Sequence, residues 1–102
     1  MIRGTTPTHT FIIPFIIENI NKINIAYSQY NIVIVEKNLE DCEILYMEKE
    51  TKIITNLTEE DTLLFKAGNI SIQIRIGQED GSRFASDVIN TDMKRLLKDG
   101  IL

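Results

Sequence analysis

The chain has 102 residues, which is the usual size of a single domain and too short for two independent hydrophobic cores. Hydrophobic residues make up 43% of the sequence and charged residues 25%, which excludes an intrinsically disordered chain. The formal net charge is −4 and the basic residues are scattered among the acidic ones, so nucleic acid is not expected as a partner.

The first predicted element is an apolar strand that covers residues 8–16. Pro14 would break a helix and has no N–H to donate to a neighbouring strand, so we expect an edge strand or a strand with a bulge. Both faces of the segment are apolar, and the second face could be covered within the domain or by a partner chain. We therefore take Phe11, Ile13, Pro14 and Phe15 as a candidate interaction surface.

The same segment also bears on localisation. Its apolar run is interrupted by Pro14 and is shorter than the roughly twenty residues that a membrane-spanning helix needs. No cleavage site of small residues follows it. We expect no membrane span and no secretion by a signal peptide, with synthesis in the cytoplasm.

A β-hairpin is predicted next. Ile23, Ile25 and Tyr27 alternate with small or polar residues, as in a half-buried strand. Residues 28–31 are polar and predict a turn, and residues 32–35 are apolar throughout and predict the second strand. The turn contains Tyr30, an aromatic side chain that we expect to be exposed and that we add to the candidate interaction surface.

The middle of the chain predicts a loop, two short strands and a helical turn. Residues 38–41 form the loop, and the strands lie near residues 43–47 and 52–56. Thr58 precedes three acidic residues and an apolar group, which is typical of a capped helix N-terminus. Gly68 is expected to end that turn.

The clearest strand in the sequence covers residues 69–76, where isoleucine occupies every second position. The following turn, residues 78–82, contains an Asp-Gly pair, which favours a hairpin. The return strand is predicted from Arg83 to Lys94, with an irregularity near Ser86. The tail from Arg95 onward is expected to be loosely held.

These elements together predict the fold class. Seven or so short strands, turn signals at regular intervals and no βαβ unit are typical of an antiparallel sandwich. We predict an all-β, immunoglobulin-like antiparallel β-sandwich of about seven strands with one short helical turn. Residues 1–102 are expected to form one domain.

The residues that could carry chemistry are few. Cys42 is the only cysteine, so an intrachain disulfide and a cysteine-rich zinc site are excluded. Its neighbours Asp41 and Glu43 disfavour a reactive thiolate. His9 is the only histidine; a triad with a distant Ser and Asp stays open, but no local nucleophile motif accompanies it.

No cofactor or metal is expected. The carboxylate clusters at residues 40–43, 59–61 and 79–80 lack the ligand spacing of a calcium loop. The five glycines form no phosphate-binding motif. We predict that the protein is not an enzyme and has no catalytic, cofactor-binding or metal-binding residues.

Two stretches, residues 1–11 and 57–76, resemble small proteins encoded in phages and in prophages of Firmicutes. The shared pattern is a Leu-Thr-x-x-Asp-Thr segment at 57–62, then Gly68, an alternating strand, an Asp-Gly turn and Ala-Ser-Asp at 85–87. The resemblance covers most of the chain. These prophage proteins are in turn similar to small β-sandwich domains of phage tail and baseplate components. It implies a structural role, association with the virion and no catalytic residue.

The sequence therefore predicts a non-enzymatic structural or assembly module of prophage type, associated with a tail or baseplate. It would act through protein contacts or self-association, with the segment around Pro14 as the contact. The alternative is a carbohydrate-binding or receptor-binding module that uses exposed tyrosines. Its candidates are Tyr27, Tyr30 and Tyr46, and Tyr30 is the best placed of them.

Overall fold

The computed structural model describes residues 1–102, and most of them lie in eight β-strands. The strands are β1 (Thr8–Ile13), β2 (Ile20–Gln29), β3 (Ile32–Asn38), β4 (Cys42–Tyr46), β5 (Thr51–Asn56), β6 (Gly68–Gln78), β7 (Arg83–Ala85) and β8 (Ile89–Met93). One short helix, α1 (Glu59–Leu63), precedes β6, and a single 3-10 turn (Leu39–Asp41) joins β3 to β4. Neither helix is long and apolar enough to cross a membrane.

The strands form two antiparallel sheets, which confirms the predicted all-β sandwich. The smaller sheet has the order β1-β5-β4, and the larger has the order β3-β2-β6-β7 with β8 also paired to β6. In a constant-type immunoglobulin domain the second and fifth strands are neighbours, whereas here β2 lies between β3 and β6. The likeness to an immunoglobulin domain therefore lies in the two packed sheets and not in the strand order.

The core lies between the two sheets and consists of thirteen buried hydrophobic side chains. Buried side chains occupy every second position along most of β2 and β6, so one face of each strand points inward. The register pairs Ile23 with Ile76 and Ile25 with Ile74 on that face. Ile53 of the smaller sheet is completely buried against them. Each isoleucine buried in this way stabilises the fold by about 1.5–3 kcal/mol.

The predicted hairpin between β2 and β3 is confirmed. Its two-residue loop is Tyr30 and Asn31, with φ angles of 55° and 62°. Positive φ at both central residues is the requirement of a type I′ turn, whose twist matches that of the flanking strands.

The predicted helical turn is confirmed, but it ends at Leu63 and not at Gly68, which begins β6. The Thr58 side chain accepts a hydrogen bond from the Asp61 N–H at 3.0 Å, and the Asp61 carboxylate accepts one from the Thr58 N–H at 2.9 Å. After the helix, Phe65 is completely buried and Leu64 is exposed. The ring of Phe65 therefore anchors α1 to the core.

The predicted return strand is divided in two, which accounts for eight strands in place of seven. The Ser86 side chain accepts from the Ile74 N–H at 3.1 Å, and the Ser86 N–H donates to the Ile74 carbonyl at 2.9 Å. A side-chain oxygen thus replaces a backbone carbonyl at this point, and the ladder is interrupted between β7 and β8.

Candidate functional site

An apolar cleft opens between the two sheets, beside the end of β1. It encloses about 200 Å³. The wall contributed by the chain around Pro14 consists of Ile12, Ile13, Pro14, Phe15 and Ile17. The opposite wall, from β6, β7 and the residue that follows β7, consists of Ile74, Ile76, Phe84, Ala85 and Ser86. We refer to this feature as the β1–β7 cleft.

The position of the wall around Pro14 depends on the proline itself and on the buried residue Thr51. β1 pairs with β5 alone and ends at Ile13, which confirms an edge strand, although we predicted it to continue to residue 16. The buried Thr51 hydroxyl then donates to the Phe15 carbonyl at 3.1 Å and accepts from the Ile17 N–H at 3.0 Å. Because both bonds are made by one hydroxyl, residues 15–17 are held against β5 without being part of the sheet.

The second wall follows from strand register. Ile74 and Ile76 lie on the inward face of β6, and Phe84 is paired with Ile76, so its ring lies on the same face. The rings of Phe15 and Phe84 are 5.8 Å apart between centroids and are tilted by 51°. This geometry is within the range of favourable aromatic pairs, and it closes one end of the cleft.

The mouth of the cleft is apolar and open to solvent. Phe15 is 46% exposed, Phe84 is 37% exposed, and Ile12 is also exposed. Single exposed hydrophobic residues are common, but several that border one apolar recess are typical of a contact surface.

The five residues predicted as an interaction surface do not all come together. Ile13, Pro14 and Phe15 line the β1–β7 cleft, and Pro14 is exposed. Phe11 is half-buried and packs against the core. Tyr30 is 71% exposed but lies beyond the opposite end of the β2–β6 pair, where Ser28 faces Ser71.

The opposite wall was not predicted as part of the site. Ile74 and Ile76 were expected only as core residues, and Phe84 is one apolar residue in a polar stretch. The signal that could have indicated Phe84 is the Asp-Gly turn, because a hairpin places the return strand beside β6.

A group of basic residues, which we call the basic rim, adjoins the cleft. It consists of Lys22, Arg75 and Arg83, and they line a shallow groove of about 440 Å³ that shares Ile76 and Phe84 with the cleft. These residues are far apart in the sequence and come together only through the pairing of β2, β6 and β7. Sequence analysis missed them for this reason.

The only histidine is engaged in packing. The Nδ1 of His9 and the Tyr27 hydroxyl are 2.8 Å apart, and the two rings stack with centroids 5.6 Å apart. Burial, together with the N-terminal ammonium group, lowers the pKa of His9, and burial raises the pKa of Tyr27. At neutral pH the pair is therefore uncharged, and the Tyr27 hydroxyl is hydrogen-bonded to the imidazole.

The surroundings of the only cysteine disfavour the thiolate form of its side chain. Burial raises the pKa of the Cys42 thiol, and the carboxylate of Asp41 acts in the same direction. No three side chains among His, Cys, Asp and Glu converge in a way that could hold a metal ion.

No family model, no curated protein and no solved structure matches this chain. What the protein does must therefore be inferred from its own side chains and their arrangement.

Proposed function

We propose that this protein is a non-enzymatic interaction module and that the β1–β7 cleft is its contact surface. The observation that carries the proposal is the exposed pair of phenylalanine rings, Phe15 and Phe84, at the mouth of an apolar recess. The core is already complete beneath them, since the thirteen buried hydrophobic residues include neither ring. Their exposure therefore favours a contact with another chain over a role in folding.

The size of the cleft limits what it can bind by itself. One leucine-sized side chain that fills it would contribute about 1.5–3 kcal/mol. Micromolar affinity needs about 8 kcal/mol, so a specific partner must contact the surroundings of the cleft as well. Ile12, which is exposed at the cleft, extends the apolar surface beyond the two phenylalanine rings. Ile16 is also exposed but borders a separate groove, with Tyr46 and Met47.

The proposed setting is a phage tail or baseplate, where the module would serve in structure or assembly. The support for this setting is the resemblance of residues 57–62, Gly68 and residues 85–87 to the pattern of small prophage proteins. A coding position among tail genes and recovery of the protein from purified particles are the expected results. A position among early genes, with no protein in the particles, would contradict it.

The contact surface is tested by selecting binders from a random peptide library on the immobilised protein. Selected peptides are expected to bind the parent protein and to lose at least about tenfold in affinity with Phe84→Ser, because the cleft loses an apolar wall. The matched control is Ile32→Ser, which removes an exposed apolar side chain from β3. Equal affinities for the parent and Phe84→Ser proteins would contradict the proposal.

A second candidate function, glycan binding, is favoured by the conformation of Tyr30. A bulky residue at φ 55° is strained by about 1–3 kcal/mol, and here it holds a largely exposed ring at the tip of a hairpin. Tyr27 is completely buried and offers no such surface, and Tyr46 is about half exposed.

Replacement of Tyr30 by Asn separates strain from binding. Asn tolerates positive φ, so Tyr30→Asn is expected to raise the free energy of unfolding by about 1 kcal/mol in urea titrations. If the ring binds glycans, the same variant loses the signals that the parent protein gives on a glycan array. An array without signals for the parent protein would remove this candidate.

A further inference from the structure

We propose that the partner of the β1–β7 cleft is an extended segment with alternating apolar and acidic side chains, added as a strand to the free edge of β7. This inference rests on the proposed function and specifies the chemistry of its partner. It is carried by the edge position of β7 and by the basic rim beside the cleft.

β7 lies at the end of its sheet and pairs with β6 alone. A terminal strand leaves backbone N–H and C=O groups on its outer side without a partner strand, and an extended peptide can pair with them. The edge of β7 also borders the cleft, because Phe84 and Ala85 belong to both.

The two faces of β7 differ in chemistry. The Phe84 ring lies on the inward face and lines the cleft, whereas Arg83 belongs to the outward face, on which the Arg75 side chain also lies. Side chains of an added strand follow the same alternation, so those beside Phe84 enter the cleft and those beside Arg83 face the basic rim. An apolar residue suits the first position, and an acidic residue suits the second.

The basic rim is built around a glycine. Register places Lys22 and Arg83 on either side of Gly77, on the strands that flank it. A Cβ at Gly77 would lie 2.9 Å from the Arg83 Nη1 and 3.2 Å from the Lys22 Cβ, so the missing side chain leaves room for the guanidinium to lie across β6. This arrangement brings the two cations toward each other on one surface.

None of the rim cations forms an ion pair, but one of them has a carboxylate nearby. The pKa of the exposed Asp80 is lowered by its hydrogen bonds to Ser82 and, to a smaller extent, by the charge of Arg83. The two ion pairs of the protein join Arg3 to Asp99 and Lys37 to Asp61. The Arg83 Nη1 donates to the Ser82 carbonyl at 3.0 Å and to the Gln78 carbonyl at 3.4 Å, and this leaves the N–H groups of Nε and Nη2 for a ligand. One carboxylate, Glu40, lines the same groove, and positive charge still predominates there.

Charge complementarity therefore selects an acidic partner. The net charge of the protein is −4, so an acidic segment is repelled by most of the surface and attracted at the rim. A basic segment would be repelled at β7, which is the only edge strand that borders both the β1–β7 cleft and the basic rim.

The test uses the purified protein and two fluorescent synthetic peptides. In one peptide valine alternates with glutamate, and in the other valine alternates with lysine. Fluorescence anisotropy at low salt is expected to show about tenfold tighter binding of the glutamate peptide. The preference is expected to disappear in the double variant Arg75→Glu, Arg83→Glu and to persist in Lys49→Glu, which removes an exposed charge from the turn between β4 and β5.

A third peptide tests strand addition itself. Methylation of alternate backbone nitrogens of the glutamate peptide removes the donors for a strand pair and keeps every side chain. We expect this peptide to lose binding, because the pairing with β7 depends on main-chain hydrogen bonds. Undiminished binding of the methylated peptide would overturn the strand-addition model.

The outcomes separate this inference from the proposed function. Equal binding of the glutamate and lysine peptides, with loss of both in Phe84→Ser, would overturn the acidic partner and leave the cleft as the contact surface. The glutamate peptide could also bind Phe84→Ser as tightly as the parent protein and fail to bind the arginine double variant. That result would contradict the cleft as the contact surface, and it would contradict the alternation of apolar and acidic side chains in the partner. If neither peptide binds the parent protein, the inference is wrong, and the peptide selection described above decides the proposed function.

Discussion

At the scale of single residues, Gln29 shows how a buried polar side chain can complete the backbone hydrogen bonding. It is 5% exposed, its Nε2 donates to the Lys66 carbonyl at 2.7 Å, and its Oε1 accepts from the Lys66 N–H at 2.8 Å. The amide group therefore acts as one further rung of a β-ladder and ties β2 to the loop that precedes β6. Sequence patterning placed residue 29 in the turn of the hairpin, whereas the structure places it at the end of β2, and the sequence could not indicate this contact.

Replacement of Gln29 by Leu is expected to lower the free energy of unfolding by about 1–3 kcal/mol, because both backbone groups of Lys66 lose their partner. Urea titration followed by circular dichroism measures the change. Gln73→Leu is the control, since Gln73 is half-exposed and donates a single bond, to the Ser86 carbonyl. A loss for Gln29→Leu no larger than for the control would contradict the assigned role.

His9 is expected to make stability depend on pH. Its pKa in the folded protein is lowered from the ordinary value of 6.5 by burial and by the N-terminal ammonium, so the unfolded chain binds the proton more tightly. Stability is then fully present above pH 6.5 and decreases as the pH falls below it. His9→Gln keeps a hydrogen-bonding group beside the Tyr27 hydroxyl and removes the titrating group.

The measurement compares unfolding midpoints of the parent protein and His9→Gln at about pH 8 and about pH 5. The parent protein is expected to lose more stability than the variant on acidification. The carboxylates are common to both proteins, so their titration cancels in the comparison. Equal losses would show that His9 is not the group responsible.

At the scale of elements, the segment after β1 depends on one hydroxyl group. Thr51 bridges the Phe15 carbonyl and the Ile17 N–H, and Ile17 is buried beneath it. The sequence predicted an edge strand or a bulged strand over residues 8–16. The edge position is confirmed, but the strand stops before Pro14 because proline donates no ladder hydrogen bond. The chain beyond Pro14 becomes a wall of the cleft through Thr51.

Thr51→Val keeps the shape of the side chain and removes both hydrogen bonds. We expect a loss of about 1–3 kcal/mol in the free energy of unfolding and weaker binding at the β1–β7 cleft, because the wall carrying Phe15 is no longer held. The matched control is Thr55→Val, which is equally buried on β5 and donates to the Asp41 carbonyl, away from the cleft. If Thr55→Val weakens peptide binding as much as Thr51→Val does, Thr51 has no specific role in positioning the wall that carries Phe15.

At the scale of the whole molecule, both sheets contribute to one core, and they are expected to unfold together. Ile53 lies on the smaller sheet and Ile74 on the larger, and both belong to the same buried cluster. Neither sheet covers its apolar face without the other. A domain of this size with a single core is expected to unfold in one cooperative step.

Ile53→Ala and Ile74→Ala are each expected to lower the free energy of unfolding by about 2–5 kcal/mol. Circular dichroism and amide hydrogen exchange should report coincident transitions in both variants, whichever sheet carries the substitution. Separate transitions for the two sheets would contradict a single folding unit. Leu97→Ala is a suitable control, because its side chain is almost fully exposed.

The sequence by itself determined the elements, because their causes are local. Alternation from Ile70 to Ile76 reports one buried face of a strand, Thr58 with Asp61 caps a helix, and an Asp-Gly pair turns the chain. Each of these signals spans only a few residues, and each was located correctly.

Only the tertiary structure decided which strands are neighbours, and the candidate site depends on those neighbours. Phe15 meets Phe84, and Lys22 and Arg83 flank Gly77, because β2 and β7 both pair with β6 and the two sheets pack face to face. Strand pairing over such sequence distances is selected by the burial of the whole core and not by any short pattern. The cleft and the basic rim therefore exist only in the folded chain.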